Sequence, residues 1–217
     1  MNSAPKSMGG PFPPGHPRNL VNSRGQQLVT AGGVPMTVGG GPLTITPDLR
    51  GVLLSSVITL LGKVPEGQLI EVVGPAWDAI ADILVVDPEE RFRIPDRKWE
   101  ELIAASYDKA GYVVTLTPRS GDGGRDVIAT KDDYVSVRII DQVKAYGDGK
   151  RVSADDVRAL LGVLGADHKA SKGLVTTTAE FAPGIATDQS IQQYVPTRLE
   201  LVDGPRLVER FAALRGK

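Results

Sequence analysis

The chain has 217 residues, with 25 Lys plus Arg against 26 Asp plus Glu, a formal charge of −1 and no cysteine. That composition excludes disulfides and thiolate zinc sites. It also excludes a globally basic body: residues 1–94 carry 7 basic and 8 acidic side chains, and the remainder carries 18 of each. Any field that attracts nucleic acid is therefore local. No run of about 18 apolar residues occurs, so no membrane-spanning helix is expected. The amino-terminal "MNSAPKSMGGPFPPGHP" is polar and rich in Gly and Pro, unlike a signal peptide. A cytoplasmic setting without a membrane partner is the expectation.

Residues 1–45 lack any sustained period, as in "TAGGVPMTVGGGPLT", and read as a flexible Gly- and Pro-rich tail. Two or three short apolar patches, such as Leu28-Val29 and Val34, are candidates to dock as strands. Residues 46–90 read as a small helical arm. Thr46-Pro47-Asp48 is a helix start. Val52, Leu53, Val57, Leu60 and Leu61 recur at helical spacing, and Gly62 and Pro65 end the helix. A second helix is expected over 69–86, broken near Gly74-Pro75 and stopped by Asp87-Pro88.

From residue 91 to 217 the pattern alternates. "DRKWEELIAASYDKAG" predicts a helix with Trp99, Leu102, Ile103 and Ser106 inward and Gly111 as its stop. "YVVTLTP", "DVIATK" and "YVSVRIIDQVKAY" predict three strands. A helix follows, capped by Ser153, then the strand "GLVTTT". A helix through "FAPGIATDQSIQQY", the strand "RLELVDG" and a closing helix complete the chain. The order αβββαβαβα implies an α/β fold with a mixed central sheet flanked by helices.

The chemistry concentrates in "SGDGGRDVIATKDDYVSVRIIDQVKAY", residues 120–146. On the long strand, Gln142 and Lys144 share one face, about 7 Å apart, while Asp141 points to the other. A hairpin through Lys131-Asp132-Asp133 brings Asp126 beside Gln142. Asp126 offers a carboxylate and Gln142 a carbonyl oxygen, the hard oxygen donors that Mg²⁺ accepts. Lys144 offers a cation to hold water or to stabilise charge on a phosphate. Glu100, on the preceding helix, can reach the same mouth.

"WEELIAASYDKAGYVVTLTPRSGDGGRDVIA", "QVKAY", "VRALLGVLGADHKASKGLVTTTAEFA" and "LELVDGPRL" resemble the Mrr-type restriction endonuclease domain of the PD-(D/E)xK nuclease superfamily, over roughly residues 87 to 214. The resemblance implies a restriction-endonuclease-like αβββαβ core. It implies a metal-dependent endonuclease acting on DNA, in restriction or anti-phage defence, with Mg²⁺ as cofactor and Mn²⁺ as a substitute. The family's helix acid falls on Glu100, its metal-binding acid on Asp126, its D/E position on Gln142 and its lysine on Lys144. Glu100, Asp126 and Gln142 are thus the implied metal ligands. Gln at that third position matches a variant within Mrr-like proteins. The basic residue that often follows the lysine is Ala145 here. A double-strand break implies a homodimer or higher assembly, with residues 46–90 as a candidate docking surface for a protein partner.

Blander readings of the same residues stand beside this one. Asp126 also suits the close of a turn, and Gln142 with Lys144 a solvated strand face. Glu100 suits a first-turn dipole partner. Asp122 reads as a turn residue, and Lys150 and Arg151 as a solvated loop. "GDGGRD" is no phosphate-cradling loop. His16 and His168 are too isolated for a His-based site. An alternative function is a nuclease-fold nucleic-acid-binding module, or a partner-activated effector subunit with little cleavage of its own.

Overall fold

The computed structural model describes residues 18–19, 37–38, 48–118 and 124–217. Contacts divide the chain into two units, Met1–Thr46 and Pro47–Lys217. In the first, β1 (Arg18–Asn19) pairs antiparallel with β2 (Thr37–Val38). The patches Leu28-Val29 and Val34 lie outside the described residues, as do His16 and Asp122.

The second unit is built on a seven-stranded sheet. Its elements begin with α1 (Leu49–Leu53), whose N-cap is Asp48. There follow β3 (Ile58–Val64), β4 (Gly67–Val72) and α2 (Gly74–Val86). Next come α3 (Asp96–Lys109), β5 (Val113–Leu116), β6 (Val127–Asp132) and β7 (Ser136–Lys144). Then β8 (Arg151–Val152), α4 (Ala154–Ala166), β9 (Lys172–Thr177) and β10 (Glu180–Phe181). Last are α5 (Gln189–Gln192), β11 (Leu199–Val202) and α6 (Gly204–Leu214).

The sheet order is β11-β9-β7-β6-β5-β4-β3. Strands β3 to β7 form an antiparallel meander, and β7, β9 and β11 run parallel. This is the mixed α/β sheet that the strand–helix alternation predicts, with helices packed on both faces. Ile139 belongs to one core with Trp77, Trp99, Leu102, Val114 and Phe211. Its neighbour Ile140 belongs to the other, with Val157, Leu160, Val175, Ile185 and Leu199. Adjacent residues of β7 thus serve opposite layers, as strand alternation requires. Each large aliphatic side chain so buried contributes about 1.5–3 kcal/mol of transfer free energy.

The segment 46–90 differs from the expected helical arm. Helix α1 ends at Leu53, and residues 58–72 form a β-hairpin that extends the sheet. Pro65-Glu66 is a turn between two short apolar runs, with Gly67 opening the second, a hairpin signal that outweighs the helical spacing. The adjacent Leu60 and Leu61 sit at a register shift and remain 58% and 60% exposed. At Gly67 a Cβ would lie 2.3 Å from the Leu116 carbonyl oxygen, so only glycine lets β4 begin against β5. The helix expected over 69–86 starts only at the Gly74-Pro75 break, with Pro at the first turn. Its buried Trp77 meets Phe211 of α6 at 4.8 Å between ring centroids, so the 48–90 segment packs into the same core as the closing helix. The single helix expected through 181–194 is instead a 3-10 turn (Pro183–Thr187) followed by α5.

Candidate active site

Strand β7 carries Gln142 and Lys144, and its antiparallel register with β6 sets Val127 opposite Asp141. Asp126 therefore stands opposite Gln142, and its backbone N–H donates to the Asp141 carbonyl at 3.1 Å. The Asp126 carboxylate turns along the strand end, where Oδ2 accepts the Val143 N–H at 2.7 Å. The backbone of β7 thereby aims the carboxylate. Asp126 thus meets the β7 backbone on either side of Gln142, at Asp141 and at Val143.

Gln142 is 7% exposed, and its Oε1 is buried with no hydrogen-bond partner among the described residues. Leaving a buried amide oxygen unpaired costs about 1–3 kcal/mol, which a solvated strand face would not incur. Gly124 covers this amide. Its φ is +79°, and a Cβ there would come within 3.2 Å of Gln142 Nε2. The glycine-rich turn thus supplies close backbone approach as well as a bend.

Lys144 reaches the amino-terminal turn of α4, where Nζ lies 3.5 Å from Asp156 Oδ1. Asp156 also closes the capping box with Ser153. Burial works to raise the Asp156 carboxyl, but the Ser153 hydrogen bonds and the Lys144 ammonium hold it below its ordinary value. Spacing marks Ser153 and Asp156 as a helix start; their contact with Lys144 is long-range and invisible to spacing.

Glu100 pairs with Arg97 one turn earlier on α3. It also lines a cleft of about 300 Å³ with Asp96, Val143, Lys144, Ala145, Tyr146, Gly147 and Lys150. Glu100 and Lys144 are thus brought to one cleft at the end of β7, with Asp126 joined to it through Val143. Among the described residues no three His, Cys, Asp or Glu side chains cluster as a metal site. Neither Asp126 nor Gln142 lines that cleft, and an ion shared by all of these groups would need the neutral oxygen of Gln142 beside the carboxylates, the hard-oxygen set Mg²⁺ accepts.

Under the site lies a group the sequence reading placed only on the opposite face. Asp141 is 1% exposed and accepts hydrogen bonds from Tyr107 Oη and Thr176 Oγ1, both at 2.9 Å. Burial pushes its carboxyl up to about 7 against the opposing pull of these donors and of Arg210. An acid within an otherwise apolar strand face was the available signal.

Comparison with known proteins follows the same segment. The restriction endonuclease family model, Mrr_cat, matches residues 93–211, more than half of the chain. The chain belongs to this family. The Mrr-type domain thus spans α3 to α6 and holds all four candidate residues. A curated relative, the uncharacterized protein y4cE of Sinorhizobium fredii (strain NBRC 101917 / NGR234), is 28% identical over 109 residues. That match covers 47% of this chain and only 26% of the relative. Among solved structures, the MspJI restriction endonuclease in complex with a 27-mer oligonucleotide is 17% identical, with a TM-score of 0.41, over 65% of this chain and 32% of that one. The DNA modification-dependent restriction endonuclease AspBHI is 18% identical, with a TM-score of 0.42, over 86% and 43%. The Mrr-type chain thus spans less than half the length of each of these proteins.

Proposed function

We propose that this Mrr-type domain is a Mg²⁺-dependent endonuclease that hydrolyses DNA phosphodiester bonds, cytoplasmic and serving restriction or anti-phage defence. The observation that carries the reading is the buried Oε1 of Gln142, without a hydrogen-bond partner among the described residues, next to the Val143 N–H that holds the Asp126 carboxylate. A strand of this kind buries an amide oxygen without a partner at a cost, and a cation is the partner it suits. Asp126, Gln142 and Glu100 would hold the ion. A bound Mg²⁺, or Mn²⁺ in its place, would acidify water and neutralise charge growing on the phosphate.

The chain's own groups do the rest. Val143 N–H fixes the Asp126 carboxylate. Gly124 sets its backbone against the Gln142 amide, where a Cβ would come within 3.2 Å of Nε2. Lys144, oriented by Asp156, presents a cation to the phosphate oxygens as negative charge builds on them. One such domain cuts one strand, so a double-strand break calls for a homodimer or larger assembly.

The test is plasmid cleavage by the purified chain across a concentration series with Mg²⁺, with Mn²⁺ and with EDTA. Metal-dependent nicking or linearisation supports the reading, and a steep concentration dependence supports assembly. A second reading, a partner-activated effector, draws on the ion pairs Glu100–Arg97 and Lys144–Asp156. Both groups are engaged in these pairs, and a partner that released them would switch cutting on.

A further inference from the structure

The cleft at the end of β7 is two-sided in its chemistry. Helix α3 supplies Asp96 and Glu100; β7 and the turn after it supply Lys144, Tyr146 and Lys150. The cations differ in their engagement. Lys144 is paired with Asp156. Lys150 pairs with no carboxylate among the described residues; its Nζ sits 3.8 Å from the centroid of the Tyr146 ring.

A cation over an aromatic face gains only about 0.5–1 kcal/mol when exposed, yet the contact restricts a long, rotamer-rich side chain. The contact keeps the charge unneutralised, since a ring attracts the ammonium without cancelling it as a carboxylate does. The backbone supports the arrangement: Lys150 N–H donates to the Gly147 carbonyl at 3.2 Å, closing the turn, and Tyr146 N–H donates to Lys144 O at 3.0 Å. The Thr178 hydroxyl fixes the Tyr146 carbonyl at 2.7 Å. Tyr146 is therefore anchored to the strand that carries Lys144, and Lys150 to Tyr146.

We propose that Lys150, held on Tyr146, is a phosphate-binding residue that grips the DNA backbone beside the phosphate addressed by Lys144. This rests on the DNA-cutting reading of the same cleft and adds a second anion position to it. Asp96 disfavours a phosphate at its end of the cleft, so the strand is steered along the Lys144–Lys150 side. Lys150 is a positioning residue: it acts on a neighbouring phosphate and takes no part in the bond that breaks. Arg151, the next residue, is turned away to Glu180 at 3.0 Å and supplies an internal control.

The experiment measures binding of the full chain to a short fluorescent duplex over a salt series, with Ca²⁺ in place of Mg²⁺, and cleavage kinetics in parallel. Lys150→Ala should weaken binding about fivefold to tenfold and lower the salt slope by about one, the signature of one lost phosphate contact. The loss should fall on KM rather than kcat. Lys150→Arg should restore the slope, Tyr146→Leu should weaken binding in the same direction, and Arg151→Ala should leave the slope as it was. An unchanged slope in Lys150→Ala, an equal drop in Arg151→Ala, or a loss confined to kcat would overturn the proposal. So would a wild-type chain that binds no duplex. Binding without any cleavage would sink the nuclease reading and leave the phosphate contact standing; cleavage with an unchanged slope would do the reverse.

Discussion

Tyr107 of α3 donates its hydroxyl hydrogen to Asp141 Oδ2 across 2.9 Å, joining the helix of Glu100 to the strand of Gln142 and Lys144. The same oxygen accepts from Thr176 of β9, so three elements meet at one buried carboxylate directly beneath the candidate site.

That carboxylate makes stability depend on pH. Burial raises it from 3.8 to about 7 in the folded chain. Between those values the folded chain holds a proton that the unfolded chain has released, so νU is smaller than νN and stability falls as pH rises. The contribution is whole below about pH 4 and lost above about pH 7, on the order of a few kcal/mol by linkage. Asp141→Asn keeps the shape and removes the titration. In urea unfolding with chelator present, the wild type should lose stability relative to Asp141→Asn between about pH 4 and pH 7. A difference independent of pH would mean that Asp141 does not ionise in this range.

Gly124 should tolerate no side chain. Alanine at φ +79° is strained, and its Cβ would press on Gln142 Nε2. Gly124→Ala should cost about 1–2 kcal/mol and lower cleavage about tenfold, by thermal melt and plasmid assay respectively. A variant as active as wild type would show that Gln142 need not be covered.

Residues 47–90 should not be removable. A chain beginning at residue 91 loses Trp77 from the face of Phe211 and leaves β5 without β4. Truncating one buried Trp costs about 3–5 kcal/mol, a large part of a domain's stability. The shortened chain should show no cooperative thermal transition by circular dichroism. A sharp transition near that of the full chain would return this segment to the status of an appended arm.

These two cases show where the sequence was readable. The Mrr-type segment was, because its strands and helices carry local signals: Ser153 with first-turn acids for α4, Gly111 after α3, and a long β-branched run along β7. Asp126, Gln142 and Lys144 could be placed together because strand alternation and one hairpin relate them. The hairpin at 58–72 was missed because Leu60 and Leu61 straddle a register shift and mimic helical spacing. The Lys144–Asp156 and Tyr107–Asp141 contacts span helix and strand, and no local pattern encodes them.

Gln142→Glu should make stability respond to metal. The substitution sets a second carboxylate one residue from the Val143 N–H that holds the Asp126 carboxylate, and like charges so placed repel. In EDTA the variant should melt below wild type; Mg²⁺ should raise its midpoint more than it raises the wild type's, by binding the folded form. Equal midpoint shifts in both chains would argue against Asp126 and residue 142 sharing an ion. Cleavage that appears only in Gln142→Glu would favour the binding-module reading.

The most direct test of the account is single-turnover cleavage of supercoiled DNA by wild type, Asp126→Ala and Lys144→Ala, at protein concentrations where all three bind the DNA equally. The account predicts Mg²⁺-dependent cutting by wild type, abolished by EDTA and reduced at least about a hundredfold in each variant. Cleavage that persists in both variants, or none by wild type at any concentration with either metal, would contradict it.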